Sequence, residues 1–499
     1  MAVAIDALAA GAPIETNGRV VHAAEAIRAG HKVALAPIAR GAEVRKYGEI
    51  IGFATAATPA GGWVHSHNLE LHEFARDYAS ATATPAPPQP LVGRTFMGYR
   101  RASGKAGTRN YVAVISSVNC SATVCKYVAE RITPQILAAF PNVSGVVAFK
   151  HAGGCGMQYQ GLQHRVLNRV LGGIARHPNI GGYLLIGLGC EQGTIGTLLD
   201  QERLVQLGNG GARQGPPVLS LQDLGGTART VEAATKILVD DLLPRANEFS
   251  REPIPASELI LATKCGGSDG ASGITANPAL GVAADMLVAA GGTAILAETT
   301  EIYGAEHLLT RRAASVPIAE KLLERLKWWE WYTGVFGAKI DGNPSVGNKE
   351  GGLTTIAEKS LGAVTKGGST ALTAVYEYAE PVTAKGLVVM DTPGFDPVCL
   401  TGMVAGGANV AVFTTGRGSC YGCKPTPSIK VATNTPMYER MRADMDLNAG
   451  GILHGRTVDE VGREIFEEIL TVASGKRPKS EQLGYGDEEF TPWMIGPTL

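Results

Sequence analysis

The feature that most constrains this chain is a repeated unit: an apolar run of strand length, a turn rich in glycine and polar residues, then a helix-like stretch. "YVAVISSV" leads into "ATVCKYVAERI", "GVVAFKH" into "QHRVLNRVLGGIAR", "YLLIGLG" into "TIGTLLDQERLVQLG", and "PVLSLQD" into "ARTVEAATKILVDDLLPRA". Runs this apolar are buried on both faces, which requires a parallel sheet covered by helices. The chain crosses into another unit near "SREPIPASE" at 250–258, and a second series follows: "ELILATKCGGSDG", "GTAILAETTEIYG", "GLVVMDTPG" and "VAVFTTGRG". In open α/β sheets, ligands bind beyond the carboxyl ends of the strands, so these turns are where chemistry is expected. The 64 glycines, beside only 6% aromatics, fit a fold with so many tight turns.

The first eighty residues read differently. "RVVHAA", "HKVALAPI", "GEIIGFATA" and "GGWVHSH" are short strands separated by glycine-containing turns, which describes a small β module. "SATATPAPPQPLVGR" then has the Pro/Ala/Thr composition of an extended linker. The expected architecture is α/β: a β module at 1–79, a linker at 80–95, a middle α/β unit at 96–252 and a Rossmann-like α/β unit at 253–499.

Composition narrows the function classes. Lys+Arg number 45 against 46 Asp+Glu, so the charge builds neither a basic nucleic-acid face nor a polybasic membrane patch. The apolar runs are too short to span a bilayer. "MAVAIDALAAGAPIETNG" lacks the pattern of a secretory signal, and eight cysteines are too sparse for a disulfide scaffold. A soluble cytoplasmic protein, with no nucleic-acid or membrane partner, is the expectation.

Cys120, Cys155, Cys190 and Cys265 each follow a strand, where thiolates are well placed to bind iron. Any one of them is as readily a small core residue; the recurrence is what points to function. "CYGC" at 420–423 has the spacing of a redox or zinc pair but lacks a completing second pair. "CGGSDGASGITANP" offers Ser268, Asp269 and Asn277 in a glycine-rich turn that cradles an anion or simply caps a helix. Glu298 and Glu301 in "AETTEIYGAEH" suit a divalent cation or an ordinary first turn. Lys349 and Arg417 each bring one cation among glycines, as carboxylate clamps do. "LKWWEWYTGVFG" reads as a packing or subunit-contact helix. "WVHSHN" sets His65 and His67 at strand spacing, pointing both imidazoles at one spot.

Several stretches carry a resemblance. "GHKVAL", "IARGAEVRKYGEIIG" and "WVHSHN" resemble the SAF-type β-clip module of the altronate/galactarate dehydratase family. "GYRRASGKAGTRN", "IGLGCE", "CGGSDGASGITANP", "GAEHLLTRR", "NPSVGNKEGGLTTIAEKSLGA" and "FTTGRGS" resemble that family's main body, in order along the chain. The resemblance implies dehydration of a sugar acid to a 2-keto-3-deoxy acid with iron, as an ion or a cluster, or with Mn2+ or another divalent metal, in a homodimer. It makes His65, His67 and Lys46 candidates for acid–base work. His31, Tyr47, Arg109, Ser268, Asp269, Asn277, Lys349 and Arg417 become candidates for substrate contacts. Cys155, Cys190 and Cys265 become the expected iron ligands, with Glu298 and Glu301 as the rival site. "SSVNCSAT" and "GSCYGCKP" resemble the galactarate branch, whereas "VHSHN" resembles the altronate branch. A lyase expelling sulfite from a sulfonated hydroxy acid, or a metabolite-binding protein without turnover, would fit the same architecture.

Overall fold

The computed structural model describes residues 1–16, 18–72, 78–207 and 213–496. The fold is α/β, with a small β-rich module followed by two parallel sheets. In the module, Ala2–Val3, Lys32–Val33 and Trp63–Val64 make one three-stranded sheet. Glu43–Lys46, Glu49–Ala54 and Leu69–Glu70 make another. Strands this short bury little by themselves. Ala34, Val44, Ile51, Val64 and Leu69 instead share a core with Leu296, Leu309, Leu361 and Val389 of the body. Burial of common apolar surface therefore seats the module on the body.

The middle unit holds four parallel strands: β1 (Tyr111–Ser116), β2 (Gly145–Phe149), β3 (Ile180–Gly187) and β4 (Val218–Ser220), in the order β2-β1-β3-β4. The strands Thr95–Arg100 and Arg251–Pro255 pair antiparallel, bringing entry and exit of this unit side by side. Helix α1 (Asn119–Glu130) follows β1, and α2 (Leu162–Ala175) follows β2.

The C-terminal unit has seven parallel strands: β5 (Ile260–Cys265), β6 (Thr293–Leu296), β7 (Leu372–Tyr376), β8 (Gly386–Met390), β9 (Val410–Thr415), β10 (Ser428–Ala432) and β11 (Leu447–Asn448). Their order is β7-β8-β6-β5-β9-β10-β11. Helices α3 (Ala276–Ala289), α4 (Val316–Val335), α5 (Ile356–Ala363), α6 (Asp396–Ala405) and α7 (Val458–Ala473) flank it. The two sheets share one core, in which Ala113, Ile115 and Leu185 meet Leu400, Met403 and Phe413. Helices α2 and α6 cross at Gly173, where any β-carbon would collide with the Ala405 backbone.

The order of the large sheet fixes where a ligand is held. After β5 the chain moves to β6 on one side, and after β9 it moves to β10 on the other. The switch point lies between β5 and β9, and its crevice opens beyond their carboxyl ends. The turns there are 266–275 and 416–419. Among the described residues, no helix is long and apolar enough to cross a membrane.

Candidate active site

The β module covers this switch point, and glycines make the approach possible. Gly30 of the module packs backbone to backbone on Gly270, Gly351 and Gly352; a β-carbon on Gly270 or Gly352 would overlap the Gly30 carbonyl oxygen. His31 Nε2 lies 3.0 Å from the Glu350 carbonyl oxygen, and Trp63 Nε1 donates to His31 Nδ1 at 3.2 Å. Because the indole is only a donor, Nδ1 must accept and Nε2 carries the proton. Burial lowers the His31 pKa, in keeping with a neutral ring. Both nitrogens are thus spent on docking, so the expected substrate contact through His31 becomes a fastening of the module.

Two buried lysines of the module reach one buried carboxylate of the body. Lys32 lies 2.7 Å and Lys46 3.0 Å from Glu358, which α5 holds inward. Thr354 also donates to Glu358, through its backbone N–H at 2.9 Å and its hydroxyl at 2.6 Å. Burial alone would raise the Glu358 pKa, but Lys32 and Lys46 hold it far below the usual carboxylate range. Burial also lowers Lys32, to about 8, against the pull of Glu358. Lys32 spends its donors on Glu358 and on the Gly352 carbonyl at 2.6 Å, so it is an anchor. Burial opposes the Lys46 charge as well, yet Glu358 more than offsets it and the Lys46 pKa rises. Lys46 is therefore an ammonium, with its hydrogen bond to Glu358 at 3.0 Å.

Lys46 faces a small pocket lined with Tyr47, Ser268, Asp269, Ser272, Asn277, Glu358 and Lys359. Lys46, Tyr47 and Asp269 also line the adjoining cleft of about 970 Å³, beside Arg28, Arg45, Arg417 and Arg440. The Ser268 hydroxyl is buried without a hydrogen-bond partner, an arrangement that costs free energy unless a ligand supplies one. Asp269 accepts from Ser272, Thr433 and Asn434 at 2.9–3.1 Å. Burial nevertheless raises its pKa, against the opposing pull of these hydrogen bonds. Gly416 leaves space for this carboxylate, since a β-carbon would overlap it.

A second charged cluster lies behind the pocket. Glu298, at a left-handed backbone position with φ of 64°, sits between Lys264 and Lys366. Lys366 Nζ also lies 2.8 Å from Cys265 Sγ, and Lys264 lies 2.9 Å from Asp396. Glu301 meets Lys359 at 2.8 Å and the Asn343 amide at 2.9 Å. Burial first, then Glu298, raises the Cys265 pKa and keeps it a thiol.

The expected metal can be tested against these donors. Among the described residues, Cys265, Glu298 and Glu301 place their donor atoms within 4.8 Å of one another. The donor types suit iron or manganese. Each carboxylate, however, is already held by an ammonium, and Asp396, Glu298 and Glu301 balance Lys264, Lys366 and Lys359. A divalent ion added here would sit against three ammoniums in a desolvated site. These residues do not fit a resident divalent cation in this arrangement.

Other expectations are corrected. Cys155 and Cys190 do not join Cys265, because they end strands of the middle sheet and are exposed, while Cys265 is buried at the end of β5. Arg109 is not at the site. Its guanidinium pairs with Glu481 at 2.8 Å and donates to the Val472 and Lys476 carbonyls, tying the middle unit to the C-terminal segment. His65 and His67 lie in a turn between Trp63–Val64 and Leu69–Glu70 rather than on a strand. The Asn68 side chain accepts from the His65 N–H at 2.8 Å and closes that turn. Both imidazoles still converge, on Trp63: His65 stacks at 5.1 Å and His67 tilts at 4.9 Å. His65 is buried, with Nδ1 unpartnered and its pKa lowered by burial to about 4, whereas His67 is exposed.

Asn277 lines the pocket but holds the Gly362 carbonyl and the Thr414 hydroxyl. Arg417 lines the cleft, 3.4 Å from Glu350. Lys349 sits half-buried in a one-turn helix, outside both pockets. Lys32, Lys264, Glu358, Lys359 and Lys366 were not anticipated from sequence.

Comparison with known proteins decides the family. Residues 1–72 match "Altronate/galactarate dehydratase SAF domain", 98–247 match "D-galactarate dehydratase/Altronate hydrolase, second domain", and 256–498 match "D-galactarate/Altronate dehydratase, C-terminal". The chain is 42% identical to the galactarate dehydratase (L-threo-forming) of Escherichia coli (strain K12), covering 92% of this chain and 88% of that protein. The chain belongs to the galactarate/altronate dehydratase family. An altronate dehydratase of Bacillus subtilis (strain 168) is 34% identical over 98% of this chain and 96% of its own length. The (2R)-sulfolactate sulfo-lyase subunit beta of Chromohalobacter salexigens is 32% identical over 80% of this chain and 98% of its own. Within this family the chain is a hydro-lyase.

Proposed function

We propose that the chain dehydrates a dicarboxylic sugar acid of the galactarate type to a 2-keto-3-deoxy acid, as a homodimer with an iron requirement. One observation carries the reading: a buried ammonium, Lys46, and the buried Asp269 carboxylate line both a small niche that holds the unpartnered Ser268 hydroxyl and the large cleft it adjoins. The proton α to a carboxylate is weakly acidic, so its removal needs the resulting enediolate dianion to be stabilised. Lys46 takes the substrate carboxylate and holds the charge that develops on its oxygens. Ser268 donates to the same group. Asp269, whose pKa burial raises, removes the α-proton; the Cβ–O bond then breaks, the β-hydroxyl leaves as water with a proton returned by Asp269, and the enol so formed tautomerises to the 2-keto acid. The module excludes water from the reacting carbon. Arg28, Arg45, Arg417 and Arg440 in the adjoining cleft suit a second carboxylate, which favours an aldaric over an aldonic acid. Exposed Trp331 and Phe336, at the end of α4, offer apolar surface for a subunit contact.

The test is an anaerobic assay of the full chain with ferrous iron and thiol on galactarate, glucarate, altronate and sulfolactate. Keto acid from the dicarboxylates supports the reading. Preference for altronate overturns the dicarboxylate assignment, and release of sulfite overturns dehydration.

A further inference from the structure

A cavity of about 220 Å³ lies away from this site, at the amino-terminal edge of the middle sheet. Its walls are the turn at 101–105, the residues 175–178 that close α2, the start of β3 and the segment 203–206. It shares no lining residue with the niche and cleft at the seam of module and body.

Arg101, Lys105, Arg176 and Arg203 line this cavity, and among the described residues no Asp or Glu does. Among the described residues, Arg176 is the one member of the set with a carboxylate partner, Glu202 at 2.7 Å. Like charges gathered in a concave, poorly solvated space repel one another and leave a positive field. Neighbouring groups register that field. Burial lowers the Lys105 pKa, and Arg176 lowers it further. His177 is kept neutral by burial while its Nε2 donates to the Ala408 carbonyl at 3.0 Å, and Lys105 and Arg101 add to the lowering.

Two buried donors give the field a direction. The Arg101 guanidinium is fixed in place: Nε donates to the Pro178 carbonyl at 2.7 Å and Nη2 to the Arg109 carbonyl at 3.2 Å. Its carbon lies 4.7 Å from the centre of the Phe249 ring and 5.5 Å from that of Tyr99. Nη1 is left buried without a partner, and so is the Tyr183 hydroxyl on β3. Arg101 is 7% and Tyr183 3% exposed, so an unmade hydrogen bond at either costs free energy. A guanidinium only donates and a phenol readily does, so an acceptor is what satisfies both. Among three unpaired cations, that acceptor is an anion. The volume is below the ~300–1,000 Å³ of drug-sized ligand sites, which suits a small ion rather than a nucleotide.

We propose that this cavity binds a small oxyanion, a phosphate or a short dicarboxylate, with Arg101 and Tyr183 as fixed donors and the exposed Lys105 and Arg203 as counter-charges at its rim. The occupant is a second ligand and not the reacting substrate. By binding the folded chain alone it stabilises that chain by mass action.

The test is calorimetric titration of the full chain with inorganic phosphate and, separately, with succinate, sodium chloride holding the ionic strength constant. One saturable event per chain is expected. Response to phosphate alone identifies a phosphate site, and response to succinate alone a carboxylate site. The double variant Lys105→Gln/Arg203→Gln, whose changes lie at the surface, weakens the event by at least about ten-fold, and Tyr183→Phe weakens it by about five-fold. Arg28→Gln/Arg440→Gln in the other cleft leaves it in place. No saturable binding of either anion, an isotherm unchanged in both cavity variants, or loss of the event in Arg28→Gln/Arg440→Gln instead, overturns the site.

Discussion

Lys46 of the β module lies 3.0 Å from Glu358 of the C-terminal unit, both buried, and this pair joins the docking of the module to the pocket. Glu358 holds Lys46 in its charged form and aims it, while Lys32 shares the same carboxylate from the next sheet. The module thereby places a cation at the switch point of the C-terminal unit.

Lys32→Met removes the anchor and leaves Glu358 with a single ammonium. Breaking a buried pair of this kind costs about 3–5 kcal/mol. The thermal midpoint falls, and limited proteolysis in the 80–94 linker accelerates as the module loosens. Unchanged proteolysis would contradict the anchoring role.

Gly270→Ala tests the glycine contact without touching any charge. A β-carbon there overlaps the Gly30 carbonyl, so the module is displaced. Turnover falls at least ten-fold while the circular dichroism of the α/β body is retained. Full activity in this variant would show that the contact does not set the site.

Arg109→Met separates a structural arginine from a substrate clamp. The variant strands Glu481, which is 6% exposed, and stability drops by about 3–5 kcal/mol. KM measured on the folded fraction stays within about two-fold of the parent, since a lost carboxylate contact would raise it much further. A large rise in KM with unchanged stability would restore the substrate role.

Acid weakens the fold through two kinds of group. His65 and His151 are each lowered to about 4 by burial, and His177 to about 3. Between pH 6.5 and about 4 the unfolded chain binds protons at these rings and the folded chain does not, so stability rises with pH across that window. Glu358 has a depressed folded pKa, so its contribution is present above about 4.5 and is lost as pH falls further. The thermal midpoint therefore declines from pH 6.5 downward, and His65→Gln flattens part of that slope. A midpoint that stays level from pH 6.5 to 4 would contradict this account.

The sheets and the glycine-rich turns were legible because burial imposes period and composition on a sequence. Ser268, Asp269, Tyr47 and Lys46, which line one pocket, could be singled out because they accompany a strand-end turn or the module facing it. Lys32 and Glu358 were not, since "HKVAL" and "IAEKSLG" read as strands and helices with ordinary solvated charges. The signal present was that α5 has no polar face: all eight residues from Ile356 to Ala363 are buried. Arg109 was misplaced because a buried structural pair and a carboxylate clamp look alike until Glu481, 372 residues away, is seen beside it. Grouping Cys155 and Cys190 with Cys265 failed because spacing along the chain does not say which of two sheets a strand joins.

The most direct test of the central claim is Lys46→Met in the full chain, assayed for keto-acid formation and for exchange of the substrate α-proton with deuterated solvent. If Lys46 stabilises the enediolate, both rates fall by at least a hundred-fold while Glu358, still held by Lys32, keeps the protein folded. If α-proton exchange continues at the parental rate, the reaction does not take place against Lys46, and the site at the seam of module and body is not the active site.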